Sequence, residues 1–179
     1  MNRRTHVMWA LTIALACCAG IATAAIGGRR HGAERERVAS VGQTLPAGTV
    51  FSAPTQPEDI RSIAAAAGRS LVVVFSIGCS QCVGEAQKWI QAADRSNAVL
   101  VPVAYTAEWK AVDEFKRFSG VKGRVYLCDS SFRELLASES SPTILVVEGS
   151  RITFRADGQD ATAQLEAFTK NVPTNGSGS

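Results

Sequence analysis

Two cysteines separated by two residues, Cys79 and Cys82, are the residues of this 179-residue chain whose types and spacing indicate chemistry most directly. A C-x-x-C pair can close a small disulfide ring, exchange that ring with another disulfide, or supply two thiolate ligands to a metal. In an exchange reaction, Cys79 attacks a disulfide of another protein and Cys82 then resolves the mixed disulfide. The four-residue pattern alone does not decide among these uses, because it occurs in redox, zinc and structural sites.

The residues around the pair place it where a buried strand passes into a helix. Leu71 to Phe75 is an uninterrupted apolar, β-branched run, which predicts a strand covered on both faces. From Ser80 to Arg95, apolar residues recur at spacings of three and four, which predicts an amphipathic helix. A thiol in the first turn of a helix faces unpaired backbone N–H groups and the positive end of the dipole, and both favour its thiolate. This placement favours redox exchange over a structural disulfide, and a structural disulfide over a metal site.

A metal site at the dithiol has too few ligands in the sequence. A structural zinc needs four Cys or His ligands, and the two histidines, His6 and His31, lie outside the predicted domain. Cys128 supplies at most a third ligand, and its apolar neighbours favour a small buried core residue. A two-thiolate copper(I) site stays open. The sequence contains no nucleotide-binding loop and no flavin motif, so we expect no cofactor and infer that electrons come from another protein.

The rest of the sequence from Val41 to Val172 alternates between helix and strand patterns, which predicts an α/β domain with a mixed sheet flanked by helices. Pro102 falls inside the second strand and predicts a sheet edge, a strand end or a bulge there. We expect helices over Pro57–Ala67, Trp109–Phe118, Ser131–Ala137 and Gln159–Asn171, and strands over Val99–Ala104, Arg124–Leu127, Thr143–Val147 and Arg151–Arg155, the last two forming a hairpin.

The beginning of the chain has the pattern of a membrane signal. Arg3 and Arg4 precede an uncharged apolar run from Val7 to Ile26, which is long enough to cross a hydrocarbon core as a helix. The run predicts either a secretory signal peptide cleaved after Ala24 or a retained membrane anchor, and the sequence leaves both alternatives open. We therefore expect residues 1–27 to be a signal peptide or anchor, 28–40 a linker, 41–172 the domain and 173–179 a disordered tail.

The basic charge of the chain is concentrated near its beginning, which argues against nucleic-acid binding. The first forty residues carry six arginines and two glutamates, leaving 13 of the 19 basic and 14 of the 16 acidic residues for the rest. A folded part so close to neutral lacks the basic face that holds a phosphate backbone. Four of the arginines follow the apolar run and oppose export under the positive-inside rule, yet long C-terminal domains often cross regardless of nearby charge. We expect the domain at the periplasmic or extracytoplasmic face of the membrane, anchored or secreted.

A second motif, Ser140-Ser141-Pro142-Thr143, stands just before the first strand of the predicted hairpin. With it, the order strand, C-x-x-C, helix, strand, helix, strand, X-Pro, hairpin, helix resembles the thioredoxin-like superfamily. The chain is most similar to its TlpA/ResA-like branch of membrane-anchored thiol–disulfide oxidoreductases, and also resembles accessory proteins of methylamine dehydrogenase assembly. The resemblance spans about Val41 to Val172 and includes Val41-Gly42-Gln43-Thr44-Leu45-Pro46, Glu85 and Leu127-Cys128-Asp129.

The resemblance implies roles for the residues of the two motifs. Cys79 and Cys82 are expected to be the catalytic dithiol. Pro142 is expected to follow a cis peptide bond, and the backbone of Ser141 to pair with a substrate strand beside Cys79. Glu85 is expected to deprotonate Cys82, with a solvated helix glutamate as the equal alternative.

Three positions depart from the pattern of the family. Gly78 replaces the tryptophan usual before the first cysteine, which opens the rim where the substrate is expected to bind. Gln87 stands in place of a helix-kinking proline. Val73 stands in place of a buried polar or acidic residue that assists proton transfer, which leaves Glu85 as the one nearby carboxylate candidate.

The resemblance implies an enzyme, an extracytoplasmic thiol–disulfide oxidoreductase acting on cysteine-containing client proteins and served by a membrane electron-transfer partner. The alternative is a thioredoxin-like assembly or copper(I)-binding accessory module whose dithiol does not turn over. The residues between the two cysteines, Ser80 and Gln81, do not allow a reduction potential to be assigned. The direction of electron flow therefore stays open.

Overall fold

The computed structural model describes residues 39–105, 108–137 and 140–171. The predicted apolar helix (residues 1–27), the predicted linker up to residue 38 and the predicted tail (173–179) lie outside these ranges. No helix within them is long and apolar enough to span a membrane. The elements are β1 (Thr49–Ala53), β2 (Gln56–Asp59), α1 (Ile60–Ala66), β3 (Arg69–Ser76), α2 (Ser80–Arg95), β4 (Val99–Tyr105), α3 (Trp109–Ser119), β5 (Tyr126–Cys128), α4 (Ser130–Leu136), β6 (Thr143–Glu148), β7 (Arg151–Asp157) and α5 (Ala161–Asn171).

The strands of the described residues form one mixed sheet in the order β2-β1-β5-β4-β3-β6-β7. β3, β4 and β5 run parallel to one another, and the remaining pairs are antiparallel. Helices α2 and α3 make the two connections between parallel strands, because such strands need a long crossover rather than a tight turn. The predicted α/β architecture with a mixed sheet and flanking helices is therefore confirmed for this part of the chain.

The central strand β3 separates two hydrophobic cores. Leu71, Val73 and Phe75 pack with residues of α2, α3 and α5, whereas Val72 and Val74 pack with residues of α1 and α4. Since both faces are covered, the part of the strand from Leu71 to Phe75 is apolar throughout and does not alternate. β3 therefore lies in the most buried part of the sheet, and the C-x-x-C pair follows its last residue.

The prediction of a helix from Pro57 to Ala67 is wrong at its beginning. Pro57 lies in β2, where it pairs with Phe51 of β1, and the helix begins only at Ile60 after an N-cap at Asp59. β2 is an edge strand, so the absence of an N–H at Pro57 leaves no ladder partner unpaired on the outer side. The sequence prediction contained neither β1 nor β2, because Thr49–Ala53 is short and its partner strands are short or distant along the chain.

Pro102 occupies a position of β4 that is paired on one side only. β4 lies inside the sheet and Pro102 pairs with Val73 of β3, but the ladder with β5 begins at Val103. The missing N–H is tolerated because β4 behaves locally as an edge at this point.

Phe118, the last residue of the predicted helix Trp109–Phe118, does not belong to the buried face of α3. Its side chain is 68% exposed and lies under the guanidinium of Arg117, 4.6 Å from the ring centre. Val112, Phe115 and Ser119 form the buried stripe instead. The last step along the stripe is four residues and not three, so Ser119 is buried and Phe118 is exposed.

Candidate active site

Cys79 and Cys82 form a disulfide at the beginning of α2, with their Cα atoms 5.3 Å apart. Cys79 is the N-cap residue of the helix, and its extended backbone (φ −78°, ψ 100°) carries the chain from β3 into the first turn. Its own N–H donates to the carbonyl of Ser76 at 3.0 Å, which fixes the turn between strand and helix. The predicted placement of the pair at a strand-to-helix junction is confirmed.

The two sulfur-bearing residues differ in exposure. Cys82 is fully buried within the core formed by α2, α3 and α5, whereas Cys79 is half-buried at its margin. Because thiol–disulfide exchange requires an incoming sulfur to approach along the S–S axis, only Cys79 is accessible to a bulky partner. Of the two sulfur-bearing residues, Cys79 is therefore the one that another molecule could reach.

The start of α2 offers hydrogen-bond donors to the Cys79 sulfur. The backbone N–H of Cys82 donates to Cys79 Sγ at 3.1 Å, which is the N-cap interaction of this helix. The side chains of the first turn, Ser80 and Gln81, carry no charge. A thiolate at Cys79 is thus favoured by helix N–H groups and by the positive end of the dipole rather than by a neighbouring cation.

Ser141 and Pro142 lie against the disulfide, and the peptide bond between them is cis as predicted. The antiparallel pairing of β6 with β3 brings this bond beside the end of β3. Ser141 Oγ accepts a hydrogen bond from the N–H of Ser76 at 3.0 Å and lies 3.7 Å from the sulfur of Cys82. The structure therefore brings together the two motifs that the sequence places 59 residues apart.

The arrangement of these strands and helices is shared with solved structures of other proteins. A thiol:disulfide interchange protein from Bacteroides sp. has a TM-score of 0.60 and 15% identity, covering 79% of this chain and 97% of that one. The thioredoxin domain of a thiol-disulfide oxidoreductase from Bacteroides vulgatus has a TM-score of 0.59 and 16% identity, covering 73% and 98%. A secreted Mycobacterium tuberculosis disulfide oxidoreductase homologous to E. coli DsbE has a TM-score of 0.53 and 17% identity, covering 76% and 98%. The chain has the thioredoxin fold.

The predicted thioredoxin-like fold is thus confirmed for the described residues. Identities of this size establish a fold, and a fold does not by itself assign an activity. No protein-family model matches the sequence, and no curated protein matches it. The function of this thioredoxin fold has to be argued from its site.

Gly78 forms an open rim next to Cys79. It is exposed, and a Cβ atom added there would meet Ser76 Oγ at 3.9 Å and no closer atom among the described residues. A Cβ atom at this position would therefore displace none of these neighbours. The role of Gly78 in substrate binding stays a prediction, and the space beside Cys79 is compatible with it.

Both carboxylate oxygens of Glu85 accept hydrogen bonds, one from α5 and one from a neighbouring turn of α2. Thr162 Oγ1 donates to Glu85 Oε2 at 2.5 Å, and Gln81 Nε2 donates to Glu85 Oε1 at 3.1 Å. Trp89 Nε1, which is buried, donates to the same Thr162 hydroxyl at 2.9 Å. Glu85 is therefore part of the contact between α2 and α5 rather than a freely solvated glutamate, and its proton-transfer role stays a prediction.

The other two departures from the thioredoxin pattern also have structural consequences. Val73 is fully buried in the same core as Cys82, so an apolar side chain fills the place expected for a buried acid. Gln87 lies on α2, and its Nε2 donates to the carbonyl of Ser119 at 2.8 Å, beside Gly120, which ends α3 with φ +74°. Helix α2 is continuous from Ser80 to Arg95 and is joined to α3 by this amide.

Cys128 is a free, buried cysteine at the end of β5, as predicted. Burial, and secondarily the charge of Asp129, raise the pKa of its thiol to about 12. A thiol that holds its proton so strongly is a poor nucleophile. Among the described residues, no group of three or more His, Cys, Asp or Glu side chains is placed to hold a metal ion.

Several residues of the site were not predicted from the sequence. Ser76 and Thr162 are brought to the motifs by strand pairing and helix packing over long distances along the chain, and no local pattern marks them. The hydrogen bond between Gln81 and Glu85 could have been predicted, because residues four apart on a helix lie on one face.

Proposed function

We propose that this protein is a thiol–disulfide oxidoreductase that exchanges disulfides with cysteine-containing client proteins through Cys79 and Cys82. The observation that carries the proposal is the asymmetric disulfide at the N-terminus of α2, with Cys79 half-buried and Cys82 fully buried beside the cis Ser141–Pro142 bond. The structural neighbours include a thiol:disulfide interchange protein and two disulfide oxidoreductases, which supports the same reaction.

In the reducing direction, the Cys79 thiolate attacks a client disulfide. The client S–S bond breaks, a Cys79–client disulfide forms, and one client thiolate leaves and takes up a proton. Cys82 then gives up its proton and attacks the Cys79 sulfur, which releases the second client thiol and leaves the pair oxidised. Two electrons pass from the pair to the client, and a dithiol of another protein must restore them. The same steps in reverse oxidise a client dithiol.

The proposal includes a place outside the cytoplasm. Residues 1–27 would export or anchor the chain, and residues 28–40 would link this segment to the domain at 41–172. The secreted Mycobacterium tuberculosis neighbour supports such a location. A membrane electron-transfer partner would then supply or accept the electrons, since the sequence contains no motif for a cofactor of its own.

The reduction potential of the Cys79/Cys82 pair tests the proposal. The full chain, purified in detergent, is equilibrated with glutathione or dithiothreitol buffers, and the oxidised fraction is measured by thiol trapping and mass shift. A value near or below about −250 mV would identify a reductant, and one near about −120 mV an oxidant. The absence of any reversible couple in this range would reject the proposal and favour an assembly or copper(I)-binding module.

Glu85 is the proposed acceptor of the Cys82 proton, and two matched variants test this role. Glu85→Gln removes the carboxylate but keeps an oxygen that can accept from Thr162, whereas Thr162→Val removes that hydrogen bond and keeps the carboxylate. A proton acceptor predicts that Glu85→Gln slows the resolving step about tenfold or more, whereas Thr162→Val has a smaller effect. Equal effects of both variants would restrict Glu85 to its contact with α5.

A further inference from the structure

Arg155 joins three parts of the chain that meet behind the Ser141–Pro142 bond. It lies on β7, and its side chain is only 12% exposed. Its Nη1 donates to the carbonyl of Ala39 at 2.5 Å, and its Nη2 donates to the carbonyl of Leu136 at 2.8 Å. Nε and Nη2 donate to the two carboxylate oxygens of Asp157, at 2.8 and 3.1 Å. One guanidinium thus makes four hydrogen bonds to three residues.

The partners of Arg155 lie on both sides of the cis bond. Leu136 is the last residue of α4, from which the chain continues towards Ser141. On the other side, Asp157 Oδ1 also accepts from the Thr143 hydroxyl at 2.8 Å, and the N–H of Gly158 donates to the carbonyl of Pro142 at 2.9 Å. The chain before and after the turn is therefore fastened to the Arg155–Asp157 pair.

This arrangement depends on the shape of the guanidinium as well as on its charge. A largely buried cation is tolerated only when its donors are satisfied, and here a carboxylate and two carbonyls satisfy them. Donors that point in fixed directions can reach three acceptors at once, whereas a lysine ammonium is a single point charge on a flexible stem. A lysine at position 155 would preserve the charge but not the set of contacts.

We propose that Arg155 is a positioning residue for disulfide exchange with protein clients, because it holds the Ser141–Pro142 turn in place next to Cys79 and Cys82. The inference rests on the proposed function and deepens it. Arg155 touches neither sulfur, so it acts through the turn that a client chain must meet. Its loss should weaken reactions that need the turn and spare reactions that need only the Cys79 sulfur.

The experiment compares a protein disulfide with a small one. The full chain in detergent is assayed for reduction of the interchain disulfides of insulin, with dithiothreitol as the electron donor that reduces the Cys79–Cys82 disulfide again. In a separate assay, its reduced form reacts with 5,5′-dithiobis(2-nitrobenzoate). In Arg155→Met the KM for insulin should rise about tenfold, while the rate constant for the small disulfide stays within about twofold of the wild type. The KM of Arg155→Lys for insulin should lie between that of the wild type and that of Arg155→Met.

Arg69→Met is the matched control. Arg69 also donates to a carboxylate on a neighbouring strand, that of Glu148, and to a backbone carbonyl, that of Ser96, but it does so at the opposite end of the β3–β6 pair. Its loss should leave both reactions within about twofold of the wild type. An unchanged KM for insulin in Arg155→Met, or an equal loss in both reactions, would overturn the inference.

A second variant keeps the test decisive if Arg155→Met shows no cooperative thermal unfolding. Thr143→Val retains Arg155 and removes the hydroxyl contact between the turn and Asp157, so it should raise the KM for insulin severalfold and spare the small disulfide. An unchanged KM would overturn the inference in this variant as well. A wild-type chain that reduces neither insulin nor the small disulfide would instead reject the proposed function.

Discussion

The hydroxyl oxygen of Ser141 lies between the backbone N–H of Ser76, at 3.0 Å, and the sulfur of Cys82, at 3.7 Å. Because this oxygen accepts from Ser76, its own hydrogen is free to be donated towards the sulfur. Val73 supplies no polar group to the buried cysteine, so the hydroxyl is the polar partner that the structure places there. It should stabilise a thiolate at Cys82 during the resolving step.

Ser141→Ala should therefore prolong the life of the mixed disulfide. The loss of one hydrogen bond to a charged sulfur, about 1.5 kcal/mol or more, corresponds to a resolving step slower by about tenfold or more. The intermediate is measured by acid quenching and non-reducing electrophoresis. Ser141→Thr keeps the hydroxyl and is the control, and a mixed disulfide of equal lifetime in both variants would contradict this role.

Cys82→Ala should trap client proteins through Cys79, whereas Cys79→Ala should trap none. The reason is exposure, since Cys79 is accessible to a client and Cys82 is fully buried. Adducts are identified by non-reducing electrophoresis followed by mass spectrometry of the linked peptide. Adducts that form equally in both variants would contradict the assignment of Cys79 as the attacking residue.

Cys128 should make the free energy of unfolding depend on pH in the alkaline range. Burial raises the pKa of its thiol from 9.0 to about 12, so above pH 9 the unfolded chain loses a proton that the folded chain keeps. The neutral thiol therefore makes its full contribution to the free energy of unfolding below pH 9. The free energy of unfolding then falls by about 1.4 kcal/mol per pH unit as the pH rises towards 12.

The comparison of the wild type with Cys128→Ala isolates this effect. Urea unfolding is measured at about pH 8 and about pH 10 with the Cys79–Cys82 disulfide intact, so that these two cysteines do not titrate. The wild type should lose about 1 kcal/mol more than the variant between the two pH values. Equal losses would mean that the thiol is more accessible than its burial indicates.

Gly48→Ala should destabilise the fold away from the active site. A Cβ atom at Gly48 would collide with the ring of Phe132, which is fully buried. Overpacking of this kind costs about 1–3 kcal/mol of the free energy of unfolding. Gly84→Ala is the control, because a Cβ on this exposed helix position meets no described atom within 4 Å and should stabilise α2 by up to about 1 kcal/mol. A Gly48→Ala variant as stable as the wild type would show that the ring can move.

Local patterns predicted the elements that carry the dithiol. The apolar run of β3 reflects a strand that is covered on both faces, and the periodicity of α2 reflects a helix with one buried face. Both patterns are local, so Leu71–Phe75 and Ser80–Arg95 were predicted with nearly their observed bounds. β1 was not predicted, because its existence depends on pairing with β5, whose residues follow it at a great distance along the chain. Pro57 favoured the start of a helix in the sequence, but in the structure it lies in the edge strand β2.

The same division applies to the site. The C-x-x-C spacing is local and was sufficient to identify Cys79 and Cys82, whereas the cis bond before Pro142 was predicted from a family resemblance and not from spacing. The contacts of Ser141 with Ser76, and of Arg155 with Leu136 and Ala39, exist only once distant strands are paired. No property of these residues considered singly indicates such contacts.

The Cys79–Cys82 bond joins residues only three apart in sequence. A covalent link stabilises a fold chiefly by restricting the unfolded chain, and a ring this small restricts very little of it. The link is therefore no brace for the domain, although Cys82 itself packs in one of its two cores. Opening the ring should therefore leave the scaffold in place, so that one folded domain could pass through many cycles of the proposed exchange.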